Sequence, residues 1–316
     1  MASLGVDTLV QWLEGKGCLF RDREEFKSKV SRMVADGSAS LHCIADFDFT
    51  LSKYYKADGV SRADSCHKSL EESGSLLSAE YAIKAKGLMD KYYPIELDTS
   101  VPEAEKSVLM AEWADMHGAL LVEAGLTRRI VETVVSAAVD EKRLVLRGGI
   151  GALFSLLEQQ EVPLLVFSAG IYDVLDVALR KGLGVQSLPK NVHAISNKCV
   201  FADESLDAPL LEWTQPTLHV LNKRAASFPA HPFFATARRG RPNLILLGDS
   251  MGDPMMSTGI EDSCETILKL GFLNVSVEER RGEFLSEFGY DLAILGDPAD
   301  MAVVMAIFQL IVIQLK

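Results

Sequence analysis

A doubly wound, Rossmann-like parallel α/β sheet with an inserted helical segment is the architecture this sequence predicts. Three observations lead to it. Short apolar runs recur without polar alternation, each ending in a polar, often glycine-bearing turn. Amphipathic helix patterns stand between several of them, and the stretch from about residue 53 to 147 carries helix signals alone. Apolar runs without alternation fit strands buried on both faces, as parallel sheets require. Strand–helix alternation is the pattern of a doubly wound fold.

The elements follow in order. Phe26, Val30, Met33 and Val34 make a helical stripe closed by Gly37, and SLHCIA is the first strand, ending at Asp46. Within the long helical stretch, Tyr81, Ala85, Leu88 and Tyr92 share one helix face. Ser100 and Glu103 have capping-box spacing around Pro102, opening a helix with Leu109, Trp113, Met116 and Leu120 on one side. The sheet resumes with VPLLVF before Ser168. A helix follows through Ile171, Val174, Leu175, Ala178 and Leu179, ended by Arg180, Lys181 and Gly182. Further strands are expected at TLHVL before Asn222 and Lys223, NLILL before Gly248 and Asp249, and DLAIL before Gly296. The apolar run MAVVMAIFQLIVI reads as a buried helix, with Asp297 as its N-cap and Pro298 at its first position. Its 13 residues fall short of the roughly 20 that span a bilayer.

An insert directly after the first strand is placed to cover the sheet's carboxyl edge, where open α/β sheets bind ligands. The expected division is a core of residues 1–52 and 148–316, with a mainly helical cap at 53–147 that selects the substrate.

Composition excludes several function classes. Of 316 residues, 44 are acidic and 32 basic, a formal charge of −12. That balance argues against a nucleic-acid polymer or an anionic membrane as partner, because both need a basic face. Five cysteines, an odd number with no CxxC pair, argue against a disulfide framework or zinc knuckle and for a reducing compartment. The start, MASLGVDTLVQWLEG, lacks the basic-then-apolar order of a signal peptide. A cytoplasmic protein with no obligate protein partner is the expectation. Gly148-Gly149-Ile150-Gly151 hints at a dinucleotide loop, but Phe154 stands where the third glycine belongs. Neither a GxxxxGK[ST] phosphate loop nor an HExxH zinc pair occurs in the sequence.

The chemistry gathers at the strand ends. Asp46 and Asp48 are one residue apart and leave a strand on the same side. Two buried like charges need something positive between them, and a hard cation such as Mg²⁺, with oxygen ligands, supplies it. An exposed acidic turn is the competing reading. Ser168, at the expected start of a helix, suits an anion or is simply an N-cap. Lys223 suits phosphate charge or is a surface lysine. Gly248-Asp249-Ser250-Met251-Gly252-Asp253 adds two further acids that suit the same cation.

Acids, hydroxyl, lysine and acids at four successive strand ends resemble the haloacid dehalogenase (HAD) superfamily of phosphohydrolases. Asp46-Phe47-Asp48-Phe49-Thr50 is similar to its DxDxT motif, Ser168 to its second motif, Lys223 to its third, and Gly248-Asp249 with Asp253 to its fourth. The segments ADFDFTLS, KYYPIELD, Glu112 to Gly118, FSAG, HVLNK, LILLGDSMGD and ILKLGFLN extend the resemblance. They look like the cytosolic 5′-nucleotidase III, or pyrimidine 5′-nucleotidase, family from about residue 43 to 275.

That resemblance implies an HAD core and hydrolysis of a nucleoside 5′-monophosphate, such as CMP, UMP or N7-methyl-GMP, through an aspartyl-phosphate. Asp46 is implied as nucleophile and Asp48 as the acid that later turns base. Mg²⁺ is implied on the Asp46 carboxylate, the Asp48 backbone carbonyl and Asp249. Ser168, the Ala169 amide and Lys223 are implied to hold phosphate oxygens, with Ser250 adding a polar contact and Asp253 orienting the metal shell or Lys223. Glu96 corresponds to a base-contacting glutamate; without the resemblance it reads as a surface acid before a turn. The family's serine before the HG pair is Met116 here, which cannot repeat that hydrogen bond and leaves base preference open. Trp113 and His117 are one helical turn apart and suit either base stacking or packing, and Cys66 and His67 also match the family's cap without an assigned role. Two other readings remain: an HAD phosphatase of a non-nucleotide phosphomonoester, and a non-catalytic nucleotide-binding protein, which the acids at 46 and 48 disfavour.

Overall fold

The computed structural model describes residues 5–73, 76–98, 100–297 and 299–313. Helices α1 (Val6–Gly15) and α2 (Arg23–Asp36) flank the two-residue strand β1 (Leu19–Phe20), and β2 (Leu41–Ala45) follows. Next come α3 (Cys66–Glu71), α4 (Ala79–Leu97), α5 (Glu103–Glu123), α6 (Arg128–Asp140) and α7 (Ile150–Gln159). The chain then forms β3 (Leu164–Ile171), α8 (Tyr172–Leu183), β4 (Val192–Asn197), β5 (Cys199–Phe201), β6 (Leu210–Trp213) and β7 (Asn243–Gly248). It ends with β8 (Thr266–Leu273), α9 (Val277–Phe284), β9 (Leu292–Leu295) and α10 (Ala302–Val312).

One sheet organises these elements, in the order β1-β9-β8-β7-β2-β3-β4, parallel except for β1 against β9. Along β2, Leu41, Cys43 and Ala45 pack into the hydrophobic layer on one face, and Ile44 into the layer on the other. Along β7, Ile245 and Leu247 face the first layer while Leu244 and Leu246 face the second. Both faces are covered, which is why these runs show no alternation. From β2 the chain winds outward through β3 and β4 on one side, then through β7, β8 and β9 on the other. The direction of winding reverses at β2, the position at which open α/β sheets bind ligands beyond the carboxyl ends of their strands.

Residues 53–147 leave and rejoin the sheet side by side. Ser52 and Leu146 form an isolated antiparallel bridge, with the Lys53 amide donating to the Val145 carbonyl at 2.7 Å and the Arg147 amide to Leu51 at 2.9 Å. Four helices, α3 to α6, lie between these two points. The antiparallel hairpin of β5 and β6 joins them: Thr127 bridges Pro209, and the Trp213 ring meets His117 of α5 at 6.2 Å.

Several local expectations are corrected. TLHVL is not a strand. Asn197 accepts from the Leu218 amide at 2.7 Å and donates to the Leu218 carbonyl, while Asn222 donates to the Thr217 carbonyl. Side-chain amides thus satisfy backbone groups that a ladder would otherwise pair. Ser168 lies inside β3 rather than at a helix start; Ile171 is the residue before α8, which runs past Gly182 to Leu183. Ser100 does not cap α5 but folds back on Asp98 at 2.7 Å. On α5 the buried residues are Met110, Ala114, His117, Gly118 and Leu121, and Met116 is 42% exposed. That face is chosen by the preceding helix α4 and by the β5–β6 hairpin, which is distant in sequence. Asp297 does not cap α10, which starts five residues later; it accepts from the Tyr54 and Tyr55 amides instead. Pro298 lies outside the described residues. Among the described residues no helix is long and apolar enough to cross a membrane.

β4 and β8 are sheet strands that the apolar runs did not indicate. β4 sits at the sheet edge with mixed polar content, and β8 is interrupted by Lys269.

Candidate active site

The carboxyl end of β2 places Asp46 where the winding of the sheet reverses, and the Asp46 amide donates to the Leu247 carbonyl of β7 at 3.0 Å. The next turn is unusual: Phe49, between Asp48 and Thr50, holds φ at 65°, a left-handed backbone that costs a side-chain-bearing residue of order 1 kcal/mol or more. Arg147 holds it there. Its fully buried guanidinium donates to the Phe49 carbonyl (2.9 Å), the Thr50 carbonyl (2.8 Å), the Asp297 and Ala299 carbonyls and Asn274 Oδ1 (2.7 Å). Those bonds occupy all five of its donors, and the Phe272 ring lies 4.0 Å beneath it.

Lys223 closes the site from the opposite turn. Its Nζ donates to Asp46 Oδ1 at 2.6 Å and to Asp253 Oδ1 at 2.7 Å, and all three residues are at most 6% exposed. Asp253 Oδ2 accepts from the Asp249 amide, the Ser250 amide and the Ser250 hydroxyl, each within 3.0 Å. Asp253 therefore clamps both the lysine and the turn that presents Asp249. Gly248 is required beneath it, since a Cβ there would lie 2.4 Å from the Asp253 Cβ and 2.5 Å from the Tyr290 hydroxyl. Thr50 Oγ1 reaches Asp249 Oδ1 at 3.3 Å.

The electrostatics follow from burial. Asp46 is raised above the usual carboxylate range, first by burial and then by Asp253 and Asp48, with Lys223 opposing. Asp249 is raised well above that range by burial, Asp253 and Asp46. Burial works against the Lys223 charge, but Asp253 and Asp46 outweigh it and hold the ammonium firmly protonated. Carboxylate oxygens of Asp46, Asp249 and Asp253 lie within 4.8 Å of one another. An all-oxygen set with excess negative charge fits a hard divalent cation. Asp253 already has both oxygens hydrogen-bonded, so Asp46 and Asp249 are the freer ligands.

Asp48 faces the insert. The Cys66 amide, first in α3, donates to Asp48 Oδ1 at 3.0 Å. Burial pushes Asp48 up to about 6, while Cys66, Lys223 and Arg62 hold it down. A carboxyl at that value is able to give a proton and take one back near neutral pH.

The structure thus brings together Asp46, Asp48, Lys223, Asp249, Ser250 and Asp253. Ser168 and Ala169, on the neighbouring strand β3, join through Gly170, whose Cα hydrogen faces Cys66: a Cβ there would lie 2.8 Å from the Cys66 Cβ. Glu96 stands apart near the end of α4, half-buried, raised by burial and lowered by the charges of Arg62 and Lys106. Arg62 lies over the rings of Phe49, Tyr54 and Tyr93 at 5.0–5.4 Å, and its charge acts on Asp48 as well as Glu96. Arg62, Cys66 and Arg147 are site residues that sequence patterns did not single out for chemistry. Arg147 shows no signal beyond being a lone cation beside an apolar run. Trp113 stacks on His117 with an interplanar angle of 16° and meets His67 edge-on at 4.9 Å.

The chain is similar to known proteins over most of its length. The family model described as "Pyrimidine 5′-nucleotidase (UMPH-1)" matches residues 49–312. The 7-methylguanosine phosphate-specific 5′-nucleotidase A of Xenopus laevis is 35% identical over 277 residues, covering 88% of this chain and 90% of its own. The 7-methylguanosine phosphate-specific 5′-nucleotidase of Homo sapiens is 32% identical over 279 residues, covering 88% and 87%. Among solved structures, cytosolic 5′-nucleotidase IIIB bound to cytidine superposes with a TM-score of 0.83 at 27% identity, covering 96% of each chain. An HAD family hydrolase of Salmonella enterica shares the fold alone, with a TM-score of 0.50 at 12% identity over 85% of this chain and 71% of its own. A HAD-like α/β chain with this sequence match belongs to the pyrimidine 5′-nucleotidase family.

Proposed function

We propose that the protein hydrolyses nucleoside 5′-monophosphates carrying a pyrimidine or N7-methylguanine base, releasing nucleoside and phosphate. One observation carries this reading: a buried lysine bridges two aspartates beside a third acid, at the sheet edge of a chain whose relatives are named nucleotidases. Asp46 attacks the phosphorus, and the ester bond to the 5′-oxygen breaks as the aspartyl-phosphate forms. Asp48 gives its proton to the leaving oxygen, then takes one from the water that hydrolyses the acyl phosphate. Lys223, the Ser168 hydroxyl and the Ala169 amide hold the phosphoryl oxygens, where positive groups count most as charge shifts. Asp253 fixes Lys223 and the Asp249–Ser250 turn, and Ser250 adds a polar contact. Asp46, Asp249 and the Asp48 carbonyl are the groups that would hold Mg²⁺, which supplies charge neutralisation between anionic nucleophile and anionic substrate.

The insert at 53–147 is the cap in this reading, and it selects the leaving nucleoside through Glu96. Met116, exposed and 3.6 Å from the Tyr92 hydroxyl through its sulfur, stands where the family has a serine. The sidedness of that replacement makes base preference a matter for a substrate panel. A cytoplasmic location is part of the same proposal.

The test is phosphate release from CMP, UMP, N7-methyl-GMP, AMP and GMP, measured as kcat/KM with Mg²⁺ and with chelator. Turnover of CMP, UMP or N7-methyl-GMP that chelator abolishes is expected. Turnover of a sugar phosphate with none of any nucleotide would transfer the chain to a different phosphomonoester, and binding without any turnover would leave a nucleotide-binding protein.

A further inference from the structure

The two stretches of chain that join the insert to the core meet at the turn after β2. Ser52, where the chain leaves the core, is bridged to Leu146, where it returns, and the Arg147 amide donates to the Leu51 carbonyl at 2.9 Å. The turn itself is tight: the Thr50, Leu51 and Ser52 amides all donate to the Phe47 carbonyl, at 3.3, 3.0 and 3.0 Å. Inside it, Phe49 holds its left-handed φ of 65°. A side-chain-bearing residue stays in that conformation only where its surroundings over-determine it.

Both peptide units of Phe49 are held by side chains. On the amino side, the Phe49 N–H donates to Ser52 Oγ at 2.8 Å. The Asp48–Phe49 peptide is trans, so its N–H and C=O point in opposite directions. With the N–H fixed on Ser52, the Asp48 carbonyl is fixed facing away from it. On the carboxyl side, the Phe49 carbonyl accepts from the Arg147 guanidinium at 2.9 Å and from Asn274 Nδ2 at 3.0 Å, which uses both its lone pairs. Asn274 is oriented in turn, because its Oδ1 accepts from Arg147 at 2.7 Å. Arg147 Nε donates to the next carbonyl, that of Thr50, at 2.8 Å, and the Thr50 hydroxyl reaches Asp249. Ser52, Arg147 and Asn274 are all buried, where a bond left unmade is costly.

We propose that Ser52, Arg147 and Asn274 are positioning residues: they hold the left-handed Phe49 from both sides and so fix the direction of the Asp48 carbonyl for Mg²⁺ and of the Asp48 carboxyl for the leaving oxygen. This rests on the reading of Asp48 as a metal ligand through its carbonyl and as the proton donor. A guanidinium, rather than any cation, is required at 147. Its rigid fork serves Phe49, Thr50 and Asn274 at once, and an ammonium on a flexible stem does not. Two of the three residues lie where the insert joins the core, so the insert is anchored on the same side chains that shape the metal-binding turn.

Measurements on the full chain test it. Calorimetric titration of Mg²⁺ into the metal-free protein reads the carbonyl's placement without turnover. Ser52→Ala removes the acceptor of the Phe49 N–H, and Arg147→Lys keeps the charge but loses the fork. Each is expected to raise the Mg²⁺ dissociation constant about tenfold or more. At saturating Mg²⁺, on the phosphomonoester the parent turns over best, each lowers kcat about tenfold or more and leaves KM within about twofold. KM is spared because the contacts assigned to Ser168, Lys223 and Glu96 lie on other segments. Ser52→Thr keeps the hydroxyl and recovers most of both losses. A folded Ser52→Ala or Arg147→Lys protein with parental Mg²⁺ affinity and kcat overturns the proposal. The parent supplies a check that needs no variant to fold. A strong nuclear Overhauser effect between the Phe49 amide and its own α-hydrogen marks a positive φ and is expected in metal-free protein as well as with Mg²⁺; a weak one in metal-free protein overturns the proposal. A parent that binds Mg²⁺ but hydrolyses only non-nucleotide esters ends the nucleotide reading and leaves these positioning residues standing. Parental Mg²⁺ affinity and full nucleotide turnover in both variants do the reverse.

Discussion

Lys223 is as deeply buried as His42 and His117, all at most 3% exposed, yet the ammonium keeps its charge inside the protein and the imidazoles give theirs up. At the end of β2, carboxylates surround a single ammonium, and each pair is held by bonds of 2.6–2.7 Å. Burial first, and the neighbouring carboxylates after it, raise Asp46 and Asp249, and the excess negative charge is what makes the cluster receptive to a cation. In the insert and beneath the sheet, burial lowers His42 to about 3 and His67 to about 4. An imidazole has a neutral form close to physiological pH, so it meets burial by losing its proton. A buried carboxyl meets burial by holding its proton, so Asp46 is raised and only the Lys223 ammonium beside it opposes the rise. The difference teaches that a buried group in this fold keeps its charge where an opposite charge touches it, as Lys223 does.

The sharpest break of that comparison is Asp46→Asn. Turnover is expected to fall by about 10³-fold or more, since the group proposed to attack the phosphorus is lost. Thermal melting in metal-free buffer is expected to match or exceed the parent, because one of several crowded carboxylates is gone. Comparable turnover in mutant and parent would remove Asp46 from its assigned place.

Next in size is Lys223→Met, which leaves Asp46 and Asp253 facing each other without a counter-charge. Removing one partner of a buried ion pair costs about 3–5 kcal/mol, read by urea unfolding at neutral pH. Adding Asp253→Asn is expected to return part of that loss, since the two changes share one contact. Additive losses in the double variant would show that the lysine does not act through these carboxylates.

The effect of the histidines is the smallest at neutral pH and grows only in acid. Their folded values lie below the unfolded one near 6.5, so the unfolded chain takes up protons first and stability falls as pH drops. The window runs from about 6.5 down to about 4 for His67 and about 3 for His42. Each neutral buried ring is expected to cost about 1.4 kcal/mol per pH unit within it. Replacing His42 with Leu is expected to flatten the acid limb of urea-derived stability by one proton. An unchanged slope would mean that His42 is charged or solvated in the folded chain.

Much of the site was legible in order along the chain. Asp46, Asp48, Ser168, Lys223, Asp249 and Asp253 each punctuate an apolar run or turn, and a parallel sheet brings successive carboxyl ends to one edge. The turn that delivers Lys223 was not legible as a turn: TLHVL has a strand's composition, and its backbone groups are diverted by Asn197, from the end of β4, together with the adjoining Asn222. Arg147 shows nothing in sequence because its five partners are mostly backbone carbonyls, which any residue supplies.

What this sequence determined by itself is therefore the alternation that builds a parallel sheet and the residue types gathered at its carboxyl edge, because side-chain periodicity and strand ends are properties of neighbouring residues. What only the tertiary structure decided is the strained Phe49 turn under Arg147, the buried face of α5, and the packing of Cys66 against Gly170. Each of those depends on contacts between segments far apart in the chain, where hydrogen-bond direction and the space left by a partner, rather than local preference, select the outcome.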